Sequence, residues 1–337
     1  MRSISKTKNL SKKTTLKNAA TKCVDEANEG QRVDNYLIGQ LKNIPKSHIY
    51  RLVRSGQVRV NSKRINASYK LQLNDNIRIP PIRIEKDSSS DLKYISKSRL
   101  ISFDILFQDD ALLVINKPAG MAVHGGSGIS LGVIEQLRAQ HPDWRFLELV
   151  HRLDRETSGV LLLAKKRKAL VDLHRQIREG SVEKRYYAVV KGKWVNIRQN
   201  VKLLLNKYVT ADGERRVAVV NKNKIEKAID SNTIFFLKKS WGDFSLLEAE
   251  LKTGRTHQIR VHLGHLGFPI AGDDKYGDFS LNKQLARNKQ EIALSRMFLH
   301  AFKTVITHPI SGKRIVIEAP LTKDLQTFIN ELDGRLK

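Results

Sequence analysis

The chain has a single cysteine, Cys23, in 337 residues. That excludes an internal disulfide and any zinc site built on cysteine ligands. Long apolar runs are also missing. The longest are pieces such as GVLLLA (159–164), far short of the roughly 18–20 residues that span a bilayer. The N-terminus has no apolar segment of the kind a secretory signal needs. Acidic residues are scarce: Lys and Arg number 61 against 34 Asp and Glu, a formal net charge of +27. An excess of that size points to a polyanionic partner, nucleic acid before an anionic membrane surface. Hydrophobic residues make up 40%, enough for a sizeable core and against wholesale disorder. The expectation is a soluble, cytoplasmic RNA- or DNA-binding protein with no membrane association.

Residues 1–22 carry seven Lys or Arg and no acid, too polar to pack, so a disordered basic tail is expected over 1–23. The Ser/Thr-rich, acid-free composition also suits an organellar transit peptide, against which the scarcity of Arg counts. From Gly30 the pattern changes. RVDNYLIGQL sets Val33, Tyr36, Leu37 and Leu41 on one helical face. After Pro45 a second helix opens at Lys46-Ser47 with Ile49, Leu52 and Val53 inward, and it stops at Gly56. QVRVNSKRI and LQLNDNIRIP read as short strands. Lys46, His48, Arg51, Arg54, Arg59, Lys63 and Arg64 are left on the outside as candidate RNA contacts. Two short helices, a small β-ribbon and this basic cluster resemble the S4 RNA-binding domain, placed at 24–84. In the ribbon turn, Asn61-Ser62 stands where Asn-Gly is usual, which leaves the turn type open.

A Ser-containing aperiodic stretch predicts a linker over 85–99. The remainder, 100–337, is β-rich. Strands are expected at ALLVINK, FLELV, GVLLLA, RYYAVVKG, DFSLLEAEL, HQIRVH and RIVIEA, and helices at LGVIEQLRAQ, RKALVDLHRQIREG and KDLQTFINEL. Strands and helices do not alternate strictly, so the expected class is α+β with a mixed or antiparallel sheet.

Residues 151–159, HRLDRETSG, put charges between two apolar runs. A polar turn is the plain reading. A kinase catalytic loop fails because Leu153 separates Arg152 from Asp154 and no Asn follows at the needed offset. A serine elbow fails because Glu156 stands where its first Gly belongs. The fourth reading is a carboxylate, Asp154, held there for chemistry, and the polar turn stays open beside it. His257, His262 and His265 could be imagined around a metal, but no His-Glu-x-x-His pattern accompanies them. GGSGIS (125–130) lacks the Lys-Ser/Thr of a phosphate loop.

HRLDRETSG, with FLELV before it and GVLLLAKK after it, resembles the signature of RNA pseudouridine synthases of the ribosomal large-subunit family. DDALLVINKPAGMAVHGG (109–126), VEKRYYAVVKG (182–192), LKTGRTHQIRVHL (251–263), GDDKYGD (272–278) and RMFLHAFKTVITHP (296–309) resemble its other motifs, in the family's order. The resemblance covers about 30–325. It implies isomerisation of uridine to pseudouridine in 23S ribosomal RNA, before or during large-subunit assembly, by a monomer that needs no metal, redox or nucleotide cofactor. It places catalysis on Asp154, base stacking on Tyr186, a hold on the flipped nucleotide on Arg152, and the cation paired with Asp154 on Arg255. An RNA-binding assembly factor without catalysis is the reading that the basic surface alone would support.

Overall fold

The computed structural model describes residues 14–15, 19–41, 44–84, 100–125, 131–211, 213–220, 228–287 and 292–335. The expected linker and most of the expected tail lie outside them. The chain divides between Arg99 and Leu100 into two compact units, each described by itself.

The first unit holds β1 (Thr14–Thr15), β2 (Ala20–Cys23), α1 (Val33–Gln40), α2 (Lys46–Arg54), β3 (Arg59–Val60), β4 (Asn76–Ile79) and β5 (Arg83–Ile84). β1 pairs with β5, and β2, β4 and β3 form an antiparallel sheet in that order. Val33, Tyr36, Leu37 and Leu41 are buried together with Ile49, Leu52 and Val53, so both helices turn inward the faces their periodicity predicts. The boundary of the tail is corrected. Ala20–Cys23 is an edge strand of this sheet rather than part of a disordered arm, because Val24 behind it is buried and the Val24 N–H donates to Asp75 O at 2.8 Å. The ribbon turn is a two-residue loop with both central residues at positive φ, Asn61 at 49° and Ser62 at 67°, the type I′ pattern. Asn61 secures it by donating to Asp75 Oδ1 (2.7 Å) and accepting the Asn76 N–H (2.8 Å).

The second unit contains β6 (Asp104–Gln108), β7 (Leu112–Lys117), α3 (Val133–Gln140), β8 (Glu148–Leu149), β9 (Ser158–Ala164), α4 (Arg167–Glu179), β10 (Glu183–Lys191), β11 (Arg198–Val209), β12 (Arg215–Val219), β13 (Ile229–Ser240), β14 (Phe244–Leu251), α5 (Gln258–His265), α6 (Phe279–Arg287), β15 (Leu299–Thr307), β16 (Arg314–Glu318) and α7 (Lys323–Gly334). One sheet runs β12-β11-β13-β14-β10-β15-β9-β7-β6, with β16 on β15 and β8 on β9. Its pairings are antiparallel except β15 with β9. This is the α+β, mostly antiparallel architecture expected. All seven residues of β9 are buried. Leu161 and Leu163 face the main core, while Val160 and Leu162 face α4 through Ala169 and Leu173. A strand covered on both faces reads as an unbroken apolar run.

HQIRVH is a correction. It begins helix α5, not a strand. Its apolar residues Ile259, Val261 and Leu263 alternate, but the polar ones between them, Arg260 and His262, are buried too. Both sets are inside, so the alternation did not mark a sheet with one wet face.

Candidate active site

The charged loop is pinned to the sheet at several points. His151 Nε2 accepts the Leu162 N–H of β9 (3.2 Å). Burial pulls that imidazole down to about 4, so it stays neutral and serves as an acceptor. Leu153 enters the main core. Lys117 Nζ, at the end of β7 and fully buried, donates to the carbonyl oxygens of Pro118 (2.7 Å), Met121 (2.8 Å) and Arg155 (3.1 Å). Thr157 N–H closes a turn on Asp154 O (3.2 Å). Beyond it, Ser158 Oγ meets His300 Nδ1 at 2.8 Å. Gly159, at φ +112°, admits the parallel contact with β15, for a Cβ there would overlap the Ala301 carbonyl. The loop alternates anchors with charges: Arg152 and Arg155 are exposed, and Asp154 is partly buried.

Asp154 lies in a cleft of about 810 Å³ walled by the loop, β10, α4, the end of β14 and the start of α5. Two side chains from the α5 segment approach the same carboxylate oxygen, Oδ2: Arg260 Nη1 at 3.6 Å and His257 Nε2 at 3.8 Å. Arg260 is almost fully buried. It is held by Asp273, which takes Nε at 2.7 Å and Nη2 at 2.6 Å, and Asp274 accepts from Nη2 at 2.9 Å. Asp273 also accepts the N–H groups of Lys275 (2.8 Å) and Tyr276 (3.0 Å). Burial alone would raise the Asp273 carboxyl, but the guanidinium and these amides outweigh it and hold the group below the usual carboxylate range. The turn GDDKYGD is thus a socket for Arg260, whose guanidinium is fixed in orientation by a two-pronged carboxylate contact.

Tyr186 sits at an irregularity in the pairing of β10 with β15, where the register shifts between Arg185 and Tyr187. A bulge of this kind re-aims a side chain; Tyr186 lines the cleft, while Tyr187 stacks on Phe302 at 3.8 Å. Burial, and secondarily the charge of Asp154, push the Tyr186 hydroxyl well above its ordinary value. Lys184, two residues back on the same strand, also lines the cleft and has no hydrogen bond or ion pair among the described residues.

Arg152 is exposed on the cleft wall, with no carboxylate partner among the described residues. The pairing expected of Arg255 is corrected. Arg255 lines the cleft, but its Nε donates to the Asp230 carbonyl at 3.1 Å and its side chain is exposed. Its backbone N–H is tied to Gln258 Oε1 at 3.0 Å. The guanidinium beside Asp154 is that of Arg260, five residues on in the same motif. Because the segment is helical, Arg260 points inward where a strand would have left either arginine available. Arg260, His257, Lys184 and Lys117 all lie in the motifs TGRTHQIR, INKP and EKRYYA; type alone did not single them out. In the first unit, Lys46, Arg51, Arg54, Arg59, Lys63 and Arg64 are exposed and His48 is half-buried.

A buried guanidinium, a neutral-leaning imidazole and a tyrosine gathered about one carboxylate form a site suited to acid–base or covalent chemistry. The sequence matches the family described as RNA pseudouridylate synthase over residues 111–265 and the S4 domain over 31–77. It is 48% identical over 310 residues to ribosomal large subunit pseudouridine synthase C of Pasteurella multocida, covering 92% of each chain. It is 48% identical over 309 residues to the Escherichia coli protein of the same name, covering 91% of this chain and 94% of that one. Among solved structures, human RNA pseudouridylate synthase domain containing 4 is similar with a TM-score of 0.56 and 25% identity, over 73% of this chain and 96% of its own. The fold and the cleft are those of an isomerase that acts on RNA. The chain belongs to the RNA pseudouridine synthases of the ribosomal large-subunit family, with an S4 domain in front of the catalytic domain.

Proposed function

We propose that the protein converts uridine to pseudouridine in 23S ribosomal RNA, with Asp154 as the catalytic carboxylate acting on a nucleotide flipped out of its helix. The observation that carries this reading is the convergence of Arg260 and His257 on Asp154 Oδ2 in a cleft that Tyr186 also lines. The names of the relatives support the choice of large-subunit RNA.

The reaction breaks N1–C1′, turns the base and joins C5 to C1′; the C5 proton leaves and N1 gains one, so no net atom or electron is exchanged. It needs an ionised carboxylate against sugar and base. An ionised group inside a cleft is costly without a counter-charge, and Arg260 supplies it. Tyr186 offers a ring to the extruded base, and its high proton affinity keeps the hydroxyl a donor. A stacked uridine is unreachable, so extrusion costs a few kcal/mol. Arg152, exposed on the cleft wall, holds the displaced nucleotide. Phosphate contacts by Arg255 and by Lys46, Arg51, Arg54, Arg59, Lys63 and Arg64 supply binding energy that offsets extrusion.

Asp154→Asn is expected to abolish pseudouridine formation on an unmodified 23S transcript while RNA affinity changes little. Conversion at the wild-type rate by that variant refutes the role given to Asp154.

A further inference from the structure

His257 enters α5 from the left-handed region, φ 52°, a conformation in which Asn is at home and most side chains are not. Its ring meets that of Tyr276 edge-on, centroids 5.5 Å apart. Nδ1 lies 2.9 Å from the Tyr276 hydroxyl, and Nε2 faces Asp154 Oδ2 at 3.8 Å. The Val217 N–H of β12 donates to the Tyr276 oxygen at 3.0 Å, which leaves the hydroxyl's own proton available to His257 Nδ1. A neutral imidazole that accepts at Nδ1 carries its hydrogen on Nε2. Burial, against the pull of Asp154, favours the neutral ring. In that tautomer the N–H points at the carboxylate.

We propose that His257 is a positioning residue for Asp154: the Tyr276 hydroxyl sets its tautomer, and its Nε2–H holds Oδ2 so that Oδ1 is left to the substrate. The inference rests on Asp154 being the catalytic carboxylate. The nearest approach of both Arg260 and His257 is to Oδ2, with the second oxygen assigned to the nucleotide. At 3.8 Å the His257 contact is about 1 Å longer than a hydrogen bond; contacts of this sort close when substrate fills the site. Tyr276 serves both donors, since the Arg260 guanidinium lies over its ring, Cζ 5.2 Å from the centroid. The hydroxyl and the ring have separate jobs, and Tyr276→Phe removes only the first.

The test uses the full chain and four variants, with thermal unfolding to confirm that each is folded. In ¹⁵N-histidine NMR spectra the wild-type His257 should show a protonated Nε2 and an accepting Nδ1, and Tyr276→Phe should lose that single tautomer. On an unmodified 23S transcript, His257→Gln, which can set an amide N–H where Nε2 lies, should keep most of the wild-type kcat. His257→Asn, whose amide reaches only the Nδ1 position, should lose about tenfold in kcat with KM little changed. A residue needed only for its backbone would rank the other way, because Asn tolerates a positive φ better than Gln. Asn equal to or better than Gln, or an Nδ1-protonated wild-type ring, overturns the proposal. Asp154→Asn run alongside separates the two readings: activity there sinks the catalytic assignment, whereas an inactive Asp154→Asn beside the wrong Gln/Asn order sinks only the role of His257.

Discussion

Lys117 Nζ donates to the carbonyl oxygen of Arg155 at 3.1 Å, one residue past Asp154 and 38 residues away in sequence. With the Pro118 and Met121 carbonyls it has three acceptors for the three N–H groups of an ammonium. Burial acts against the charge and lowers the group to about 7, with Glu156 and Asp154 resisting. The loop carrying Asp154 is thus tied to the end of β7 by an amine that sits near the balance between its two forms.

Lys117 should leave a signature in stability against pH. Its folded value, about 7, lies below the 10.5 of the free side chain, so between those limits the unfolded chain binds more protons and stability rises with pH. The favourable contribution is complete above about 10.5 and is lost as pH falls towards about 7. Urea unfolding of wild type and Lys117→Met at several pH values should show a steeper rise in the wild type. Parallel curves for the two proteins would show that the amine is not so perturbed.

The two arginines of TGRTHQIR should behave differently. Arg260→Lys keeps a charge but loses the two-pronged grip on Asp273, and kcat should fall by at least about tenfold. Arg260→Met, which leaves Asp273 buried without its partner, should also cost about 3 kcal/mol of stability. Arg255→Lys, exposed and tied to a backbone carbonyl, should leave kcat near wild type. Equal losses would return Arg255 to the role of partner. Single-turnover rates and denaturant titrations measure both.

Binding should be steep in salt. Each phosphate contact removed by Arg51→Ala or Arg54→Ala is expected to lower the slope of log K against log salt by about 1. Filter binding to 23S RNA between about 50 and 200 mM salt reads the slope. An unchanged slope in both variants would remove these side chains from the RNA contact surface.

The loop around Asp154 stood out in the sequence because nine residues crowded with charge lie between two apolar runs, but the role proposed for its carboxylate rests on the family resemblance. The helix faces of the S4 domain were legible because one side of each is wet, so the periodicity survives. Arg260 was not, because its helix is buried on every side and its motif holds two arginines of equal promise. Nor was Ala20–Cys23 as an edge strand, since one exposed strand amid lysines has the composition of a tail. The long β11 and β13 and the shorter β12 escaped for a related reason: their polar residues are spread along both faces, and Val209 and Ile229 stand exposed where they meet solvent.

The parallel contact of β9 with β15 has a consequence for synthesis. Ser158 and Gly159, which end the Asp154 loop, are seated by His300 and Ala301, and the Ser158–His300 link spans 142 positions. Chain emerges from the ribosome N-terminus first. The S4 domain can therefore fold and meet RNA while the carboxylate still lacks its support. An unfinished polypeptide is able to touch the transcript before it is able to alter it.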